Sequence, residues 1–263
     1  MTARFSRVSG AGDLDIAVVQ LAHIANFTDF QSLALQPGAR VRYARTASEL
    51  DHADLIVLPG TKNTIEDLID LRSRGMDAAI VRHAQKGGMV IGVCGGYQML
   101  GRVLRDPDHV ESRVPELAGL GLLDMDVIFE KEKYTAQASA SVCASRGWLS
   151  DARGLTVDGY EIHAGQNHLG SSAVPWLAIG GRIDGVMNES GSVLGSYLHG
   201  LFDDGQLFAA IAAHLRGKKG LESANAAPVD LEAFREWEFD RIASIVRASV
   251  DMDAIYRILR GEA

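Results

Sequence analysis

Cysteine is scarce in this 263-residue sequence: there are only two, Cys94 and Cys143. A disulfide scaffold is therefore excluded, and we expect a cytoplasmic protein in whose reducing surroundings a single thiol can act as a reagent. Long apolar runs are also missing, since no stretch approaches the roughly 20 apolar residues of a membrane-spanning helix. Residues 1–15 lack an apolar core of signal-peptide length. The sequence thus predicts neither a secreted nor a membrane protein.

Positive charge is in deficit as well. Lys and Arg number 26 against 34 Asp and Glu, which gives a formal net charge of −8. No basic cluster offsets this deficit, so we expect no nucleic-acid or anionic-membrane partner. The apolar share of 47% and the charged share of 23% are ordinary for a globular protein, and the length suffices for a sizeable core.

Short apolar runs alternate with helical patterns through the first 105 residues. Strands are predicted at 15–21, 41–45, 54–60 and 89–94, and helices at 61–75, 76–88 and 97–105. Such alternation at short intervals predicts an α/β fold with a doubly wound, mostly parallel sheet that is covered on both faces.

The second half of the sequence is less regular. Residues 119–145 predict two strands joined by a charged turn, and further strands are expected at 154–165, 176–181 and 192–202. A short helix at 208–217 precedes a linker at 217–229 and an amphipathic C-terminal region at 230–260, a long helix followed by a short one. We interpret residues 1–14 as a leader or linker remnant and 15–263 as one domain.

The clearest chemical signal is the stretch GVCGG, where an apolar strand runs directly into a helix. A nucleophile on such a turn needs small residues two positions before and two after it, and Gly92 and Gly96 occupy those positions. Cys94 would lie at a helix N-terminus, which stabilises negative charge on sulfur, and the Gly95 N–H would point towards an oxyanion. The alternative is a buried structural cysteine beside a glycine loop. Cys143 has none of these features and is expected to be a packing residue.

A thiol nucleophile needs a proton shuttle, and the chain has eight histidines. His199 ends a strand-like stretch, the kind of position where functional groups gather in a doubly wound sheet. His163 is the second choice. His109 is a third, because Glu111 could orient it, but it lies in a polar loop. We expect His199 to be the base.

A second strand end completes the predicted site. Pro59 and Gly60 stop a buried strand, and the N–H of Gly60 or Thr61 would lie on the same sheet edge as Cys94. That N–H could be the second donor to an oxyanion. A plain turn explains this stretch equally well.

Seven ordered blocks of the sequence resemble the triad-type glutamine amidotransferases, specifically the CobB/CobQ-like branch and, within it, the C-terminal glutaminase part of the cobyric acid synthases. They are NFTDF (26–30), LPGTKNTIEDL (58–68), GVCGGYQMLG (92–101), DPDHVES (106–112), GLGLLD (119–124), GYEIHAG (159–165) and GSYLHGLFD (195–203). The resemblance runs from about residue 14 to the end of the chain.

The resemblance implies that Cys94 is the nucleophile and His199 its catalytic partner, and that Gln98 and Lys133 help to hold glutamine. It implies hydrolysis of glutamine to glutamate and ammonia, for ATP-dependent amidation of adenosylcobyrinic acid a,c-diamide in cobalamin biosynthesis. This chain would bind no cofactor or metal; ATP and Mg²⁺ are expected on a synthetase domain or subunit, the partner. The resemblance also implies that Asn63, Tyr160, Glu161 and His163 line the region of the glutamine site, without assigned roles.

The sequence departs from the family pattern in three places. Leu201 stands where most triad amidotransferases carry Glu, so the triad is reduced to a dyad or another carboxylate serves. No phosphate-binding G-x-x-x-x-G-K-[ST] loop is present, so a synthetase would have to come from elsewhere. Gln166 and Asn167 replace an Arg-Thr pair.

Other functions are compatible with parts of this pattern. One is the small glutaminase subunit of lipid II isoglutaminyl synthase, which shares the CGGYQ and YLHG blocks. A non-catalytic binding module on the same fold and a thiol peptidase or esterase are further alternatives, and turnover of glutamine against peptides would separate them.

Overall fold

A computed structural model describes residues 13–222 and 226–262. The strands in these ranges are β1 (Leu14–Val19), β2 (Ala39–Ala44), β3 (Leu55–Leu58), β4 (Met89–Val93), β5 (Val103–Arg105), β6 (Glu116–Ala118), β7 (Met125–Val142), β8 (Thr156–Leu169), β9 (Val174–Ile179), β10 (Arg182–Met187), β11 (Val193–Ser196) and β12 (Leu198–His199).

The α-helices are α1 (Gln31–Leu35), α2 (Thr64–Ser73), α3 (Met76–Gln85), α4 (Gly95–Met99), α5 (Gln206–Lys218), α6 (Leu231–Ser249) and α7 (Met252–Leu259). Short 3-10 helices lie at Phe27–Phe30, Ala47–Leu50 and Trp148–Ala152. The N-cap of α2 is Asn63, whose side chain accepts from the Glu66 N–H at 3.1 Å.

The strands of the described ranges form one mixed sheet. Its order is β12-β8-β7-β9-β10-β11-β4-β3-β1-β2. Outside this order, β5 pairs with β7 and β6 pairs with β5. The pairs β2-β1, β1-β3, β3-β4 and β4-β11 are parallel. The remaining pairs are antiparallel except for β5 with β7. Gly60 and Cys94 lie just beyond the carboxyl ends of the parallel strands β3 and β4.

Two hydrophobic cores cover the two faces of the sheet. In β1, Leu14, Ile16 and Val18 contribute to one core together with residues of α1 and α5, whereas Ala17 and Val19 contribute to the other with residues of α2 and α3. Every residue of β1 is buried, including Asp15, and burial on both faces explains the apolar run at 16–19. The predicted α/β class and the covering of both faces are confirmed.

The prediction of two strands joined by a turn at 119–145 is wrong. The charged residues 130–133 lie within the single strand β7, whose pairing with β8 shifts register between Phe129 and Tyr134. Such a bulge accommodates extra residues within one strand. It lets the charged stretch face solvent while Val127 and Phe129 stay buried. The break in apolar alternation therefore marks a bulge.

The helix predicted at 97–105 is also wrong beyond its first turn. It ends at Met99, and Val103–Arg105 form β5, which pairs with β6 and β7. Gly101 packs so closely on β7 that an added Cβ would lie 2.9 Å from the Met125 carbonyl oxygen. Short apolar runs fit both periods, and here sheet pairing decides between them.

Two predicted boundaries shift slightly. β1 begins at Leu14, inside the predicted leader, whereas residues 1–12 lie outside the described residues. α5 extends to Lys218, inside the predicted linker. At the other end of that linker, the Gln36 side-chain amide donates to the Val229 carbonyl and accepts from the Val229 N–H. Residues 223–225 of the predicted linker also lie outside the described ranges. The division into leader, domain and linker stays a prediction.

The C-terminal region forms the long and short helices that were predicted. In α6 only Leu231 is buried. The apolar side chains exposed on the two helices are Trp237, Phe239, Ile242, Ile245, Val246, Ile255, Tyr256, Ile258 and Leu259. Among the described helices, none has both the length and the hydropathy needed to cross a membrane.

Candidate active site

Cys94 lies on a sharp turn between β4 and α4. Its backbone adopts φ 50° and ψ −110°, a positive-φ conformation that residues other than glycine rarely adopt. The Cys94 N–H donates to the Ser196 carbonyl of β11 at 2.9 Å, and the Cys94 carbonyl accepts from the Gln98 N–H at 3.0 Å. The strained conformation is thus fixed by hydrogen bonds on both sides.

The glycines around Cys94 are required by space. A Cβ on Gly96 would lie 2.1 Å from the Leu58 carbonyl oxygen, and one on Gly92 would lie 2.7 Å from the Gly96 carbonyl oxygen. Real Cβ atoms do not approach other atoms so closely, so the chain can make this turn only with glycine at both positions. The sequence interpretation of a tight strand-to-helix turn is confirmed.

The turn after β3 lies directly beside Cys94. Thr61 N is 3.2 Å from the position that a Cβ on Gly95 would take, and a Cβ on Gly60 would lie 3.7 Å from the Cys94 Cβ. The turn is held by a hydrogen bond from the Ala25 N–H to the Gly60 carbonyl at 2.9 Å. The predicted oxyanion donors are therefore close together, and their role stays a prediction.

His199 is held by a carboxylate that the sequence interpretation did not identify. The imidazole is 1% exposed and Asp29 is 5% exposed. The His199 Nδ1 lies 2.6 Å from the Asp29 Oδ2, which means that Nδ1–H donates to the carboxylate. The other ring nitrogen, Nε2, is left for proton transfer. Asp29 lies in the NFTDF block, which contributes to the family resemblance but has no role predicted from the sequence.

Two further residues contact the His199 ring. Tyr160 stacks on it with ring centroids 5.0 Å apart and an interplanar angle of 17°. The Asn26 Nδ2 lies 3.2 Å from both ring nitrogens. Burial lowers the pKa of His199, but the hydrogen bond to Asp29 and the neighbouring Cys94 sulfur outweigh it and raise that pKa to about 9. A protonated imidazole is therefore favoured here.

Leu201 does not leave a gap at the site. Its side chain is 1% exposed and belongs to the hydrophobic core that includes Leu198 and Phe202. Of the two sequence-based options for the missing Glu, the geometry favours another carboxylate, that of Asp29.

A cavity of about 320 Å³ opens beside the thiol. Its lining includes the predicted residues Thr61, Cys94, Gln98, Lys133 and His199. Further lining residues are Ala25, Asn26, Lys62, Thr64, Glu111, Tyr160, Ile162, His163 and Ala164. The Cys94 Sγ lies 3.3 Å from the Ile162 carbonyl oxygen. The predicted nucleophile, the predicted base and the predicted substrate contacts thus share one cavity.

Gln98 is itself tightly bound. Its Oε1 accepts from the Thr64 hydroxyl at 2.9 Å and its Nε2 donates to the Tyr197 hydroxyl at 3.3 Å. Gln98 is therefore best described as part of the cavity wall.

Glu111 also lines the cavity, although the sequence suggested it only as a partner for His109. Burial raises the pKa of Glu111 to about 6. Its Oε2 accepts from the Thr64 N–H at 2.8 Å.

The other candidate residues have different surroundings. His109 is exposed, and its Nδ1 contacts the Ser112 carbonyl at 3.0 Å. His163 lines the cavity, but its ring stacks on Tyr197 and burial lowers its pKa. Cys143 lies at the end of β7, where its N–H donates to the Trp176 carbonyl at 2.8 Å.

Comparison with known sequences finds a matching family and related proteins. A family model for the CobB/CobQ-like glutamine amidotransferase domain matches residues 15–207. The chain is 40% identical to the cobyric acid synthase of Thermoanaerobacter sp. (strain X514) over 98% of its own length and 52% of that protein. It is 44% identical to the cobyric acid synthase of Photorhabdus laumondii subsp. laumondii, over 94% of this chain and 49% of the relative. The chain thus spans about half the length of these curated relatives.

Solved structures support the fold. PurLQS from Thermotoga maritima aligns with a TM-score of 0.56 at 19% identity, covering 76% of this chain and 89% of that one. A second structure, described as a glutamine amidotransferase, aligns with a TM-score of 0.53 at 16% identity over 78% of this chain and 99% of its own.

Proposed function

The chain belongs to the CobB/CobQ-like glutamine amidotransferase family, and from that premise we propose that it hydrolyses glutamine to glutamate and ammonia with Cys94, His199 and Asp29. One observation carries the proposal. A strained cysteine at the start of α4 shares a cavity with a buried histidine whose Nδ1 lies 2.6 Å from a buried carboxylate. This arrangement is what a thiol acyl-transfer enzyme requires.

In the first step, the Cys94 thiolate attacks the side-chain amide carbon of glutamine and a C–S bond forms. The N–H groups of Gly95 and of Gly60 or Thr61 stabilise the oxyanion, each by about 3–4 kcal/mol. The C–N bond then breaks, and the leaving nitrogen takes the proton from His199 Nε2 and departs as ammonia. Asp29 holds the imidazole in the tautomer that leaves Nε2 facing the reaction.

In the second step, a water molecule hydrolyses the thioester. His199, now neutral, takes a proton from the water, and the resulting hydroxide attacks the thioester carbon. The C–S bond breaks, glutamate leaves, and the sulfur returns as a thiolate beside a protonated His199. The elevated pKa of His199 keeps the imidazole protonated at neutral pH.

The use of the ammonia is a finer proposal. The curated relatives are cobyric acid synthases twice as long as the match, so we propose that the ammonia serves ATP-dependent amidation of adenosylcobyrinic acid a,c-diamide in the cytoplasm. The ATP and Mg²⁺ would bind to a synthetase part that corresponds to the unmatched half. Because uncoupled hydrolysis wastes glutamine, we expect this chain alone to turn over slowly and a synthetase partner to accelerate it.

The proposal is tested by the products released from different substrates. The purified chain should release equal amounts of glutamate and ammonia from glutamine, and should leave short peptides without glutamine intact. Cys94→Ser should release neither product, with Cys143→Ser as the matched thiol control. Peptide cleavage by the wild-type chain without ammonia release would instead identify a thiol peptidase.

A further inference from the structure

His199 lies just beyond the point where the chain changes its neighbours in the sheet. β11 ends at Ser196 and pairs in parallel with β4, whereas β12 starts at Leu198 and pairs antiparallel with β8. β12 has only two residues, and Gly200 follows it with φ 83°. A strand so short makes few hydrogen bonds of its own. The position of His199 therefore depends on what holds the backbone just before it.

The side chain of Ser196 holds that backbone. Ser196 is fully buried, and its hydroxyl oxygen accepts from the Leu198 N–H at 3.0 Å. The hydroxyl itself donates to the Oδ2 of Asp184, a buried residue of β10. A serine commonly shapes a turn by accepting from the backbone two residues further on. Here the contact lies in the protein interior, and a carboxylate fixes the orientation of the hydroxyl because it accepts the only proton.

The same serine also contacts the turn that carries the predicted nucleophile. Its carbonyl accepts from the Cys94 N–H at 2.9 Å. Ser196 thus bonds to the Cys94 backbone through its main chain and to the residue before His199 through its side chain. The two reactive residues lie close together, since an added Cβ on Gly60 would be 3.0 Å from the His199 Cε1 and 3.7 Å from the Cys94 Cβ. Ser196 therefore connects the two halves of the site.

The contacts of the His199 ring come from other segments of the chain. Asp29 contacts the ring at Nδ1, and Tyr160 of β8 stacks on it. These contacts require a fixed position of the His199 backbone, because a hydrogen bond weakens steeply as its geometry departs from the optimum. We propose that Ser196 is a positioning residue whose hydroxyl, oriented by Asp184, fixes where the His199 imidazole lies.

The ionisation of Asp184 determines the pH at which this contact is best measured. Burial and the neighbouring charge of Glu161 raise the pKa of Asp184 to about 7. The Glu161 oxygens accept from the Arg182 Nη2 at 2.8 and 2.7 Å, which gives that carboxylate a counter-ion. The pKa of His199 is about 9. At pH 8, Asp184 is therefore mostly ionised and accepts from Ser196, while His199 is mostly protonated.

The first test measures the pKa of His199 and does not depend on any activity. Proton NMR follows the imidazole in the wild-type chain, in Ser196→Ala and in Ser172→Ala, and its signal is assigned by its absence from His199→Ala. The Ser172 hydroxyl donates to the Asp124 Oδ2 at 2.8 Å outside the lining of the catalytic cavity, so this control loses the same kind of contact. We expect Ser196→Ala alone to lower the pKa of His199, by roughly 0.5 or more, because a displaced ring loses part of its hydrogen bond to Asp29.

The second test is glutamine turnover at pH 8, and its interpretation rests on the proposed function. Ser196→Ala should lower kcat about tenfold or more, because a small displacement of a catalytic group is costly. KM should stay within about twofold, since Ser196 is not among the residues that line the cavity. Asp184→Asn should lower kcat less, because an amide oxygen can still accept from the hydroxyl. Added to Ser196→Ala, it should have little further effect, since both changes act through one contact.

Two results would overturn the proposal. One is a folded Ser196→Ala variant in which the pKa of His199 equals that of wild type. The other is a variant that loses thermal stability but keeps its kcat within about twofold of wild type, because the hydroxyl would then only stabilise the fold. If Ser196→Ala does not fold, Asp184→Asn takes its place in both tests, with smaller expected changes and the same contradicting results. A wild-type chain that does not hydrolyse glutamine would refute the proposed function, and the pKa of His199 would still decide the role of Ser196.

Discussion

The two reactive side chains of the proposed site are held in place in different ways. Cys94 is positioned by its own neighbours in sequence, through a strained backbone and two glycines that no other residue can replace. His199 is positioned by side chains that are remote in sequence, above all by Asp29, 170 residues away. One end of the site is built by the backbone and the other by long-range side-chain contacts.

This difference has a physical consequence. A backbone turn tolerates no added atom, so changes beside Cys94 should damage the fold and the activity together. A hydrogen bond between two buried side chains can be removed by an isosteric substitution that leaves the fold in place, so changes at Asp29 should affect the chemistry alone. Substitutions on the two sides of the site should therefore differ in their effect on stability.

The largest effect is expected for Cys94→Ser. A serine hydroxyl is a far weaker nucleophile than a thiolate, so glutamine hydrolysis should fall by roughly 10⁴-fold or more. The substitution keeps the size of the side chain, and the circular dichroism spectrum should not change. Ammonia release at saturating glutamine measures the effect, and substantial turnover by this variant would exclude Cys94 as the nucleophile.

His199→Ala should lower turnover by roughly 10³-fold, because both proton transfers lose their carrier. His109→Ala is the matched control. That residue is exposed and contacts only its own loop through Ser112 in the described structure, so we expect turnover within about twofold of wild type. A reversed order of the two variants would identify His109 as the base.

Gly96→Ala should affect stability as well as activity. The added Cβ would collide with the Leu58 carbonyl oxygen at 2.1 Å, and we expect a loss of about 2 kcal/mol or more in the free energy of unfolding. Gly217→Ala is the control, because Gly217 lies in α5 with nothing within 4 Å of its added Cβ. That variant should gain about 0.5 kcal/mol. Urea denaturation measures both, and equal stability of the two variants would contradict the account of the elbow.

The smallest effect is expected for Cys143→Ser. Burial raises the pKa of the Cys143 thiol, which disfavours a reactive thiolate there. Glutamine turnover should stay within about twofold of wild type. Alkylation by iodoacetamide, followed by mass spectrometry, should reach Cys94 before Cys143 when glutamine is absent, and glutamine should protect only Cys94.

The sequence predicts the nucleophile side of this site well and the base side poorly. The GVCGG stretch determines the turn through local sterics, so its geometry could be inferred from five residues. The parallel strands could likewise be predicted from short apolar runs. By contrast, nothing near Asp29 in sequence indicates that it contacts His199, since the pairing exists only once β12 and the residues after β1 meet.

The errors in the fold have the same origin. Residues 130–133 lie in a strand because β8 pairs with β7 on both sides of the bulge, and Val103–Arg105 lie in a strand because β6 and β7 pair with them. In both cases a contact between remote segments overrides the local pattern.

Asp29→Asn, assayed for glutamine hydrolysis between pH 6 and 10, tests the central claim most directly. Protonated His199 gives its proton to the leaving nitrogen, so wild-type activity should persist up to a pH near its pKa of about 9 and fall as the pH rises through that value. Asparagine removes a contact that raises this pKa, so the alkaline fall should move to lower pH and the maximal turnover should drop on the order of 10³-fold. The thermal unfolding midpoint should change little. A variant with wild-type turnover and an unchanged alkaline limb would show that Asp29 does not hold the catalytic base, and the three-residue account would be wrong.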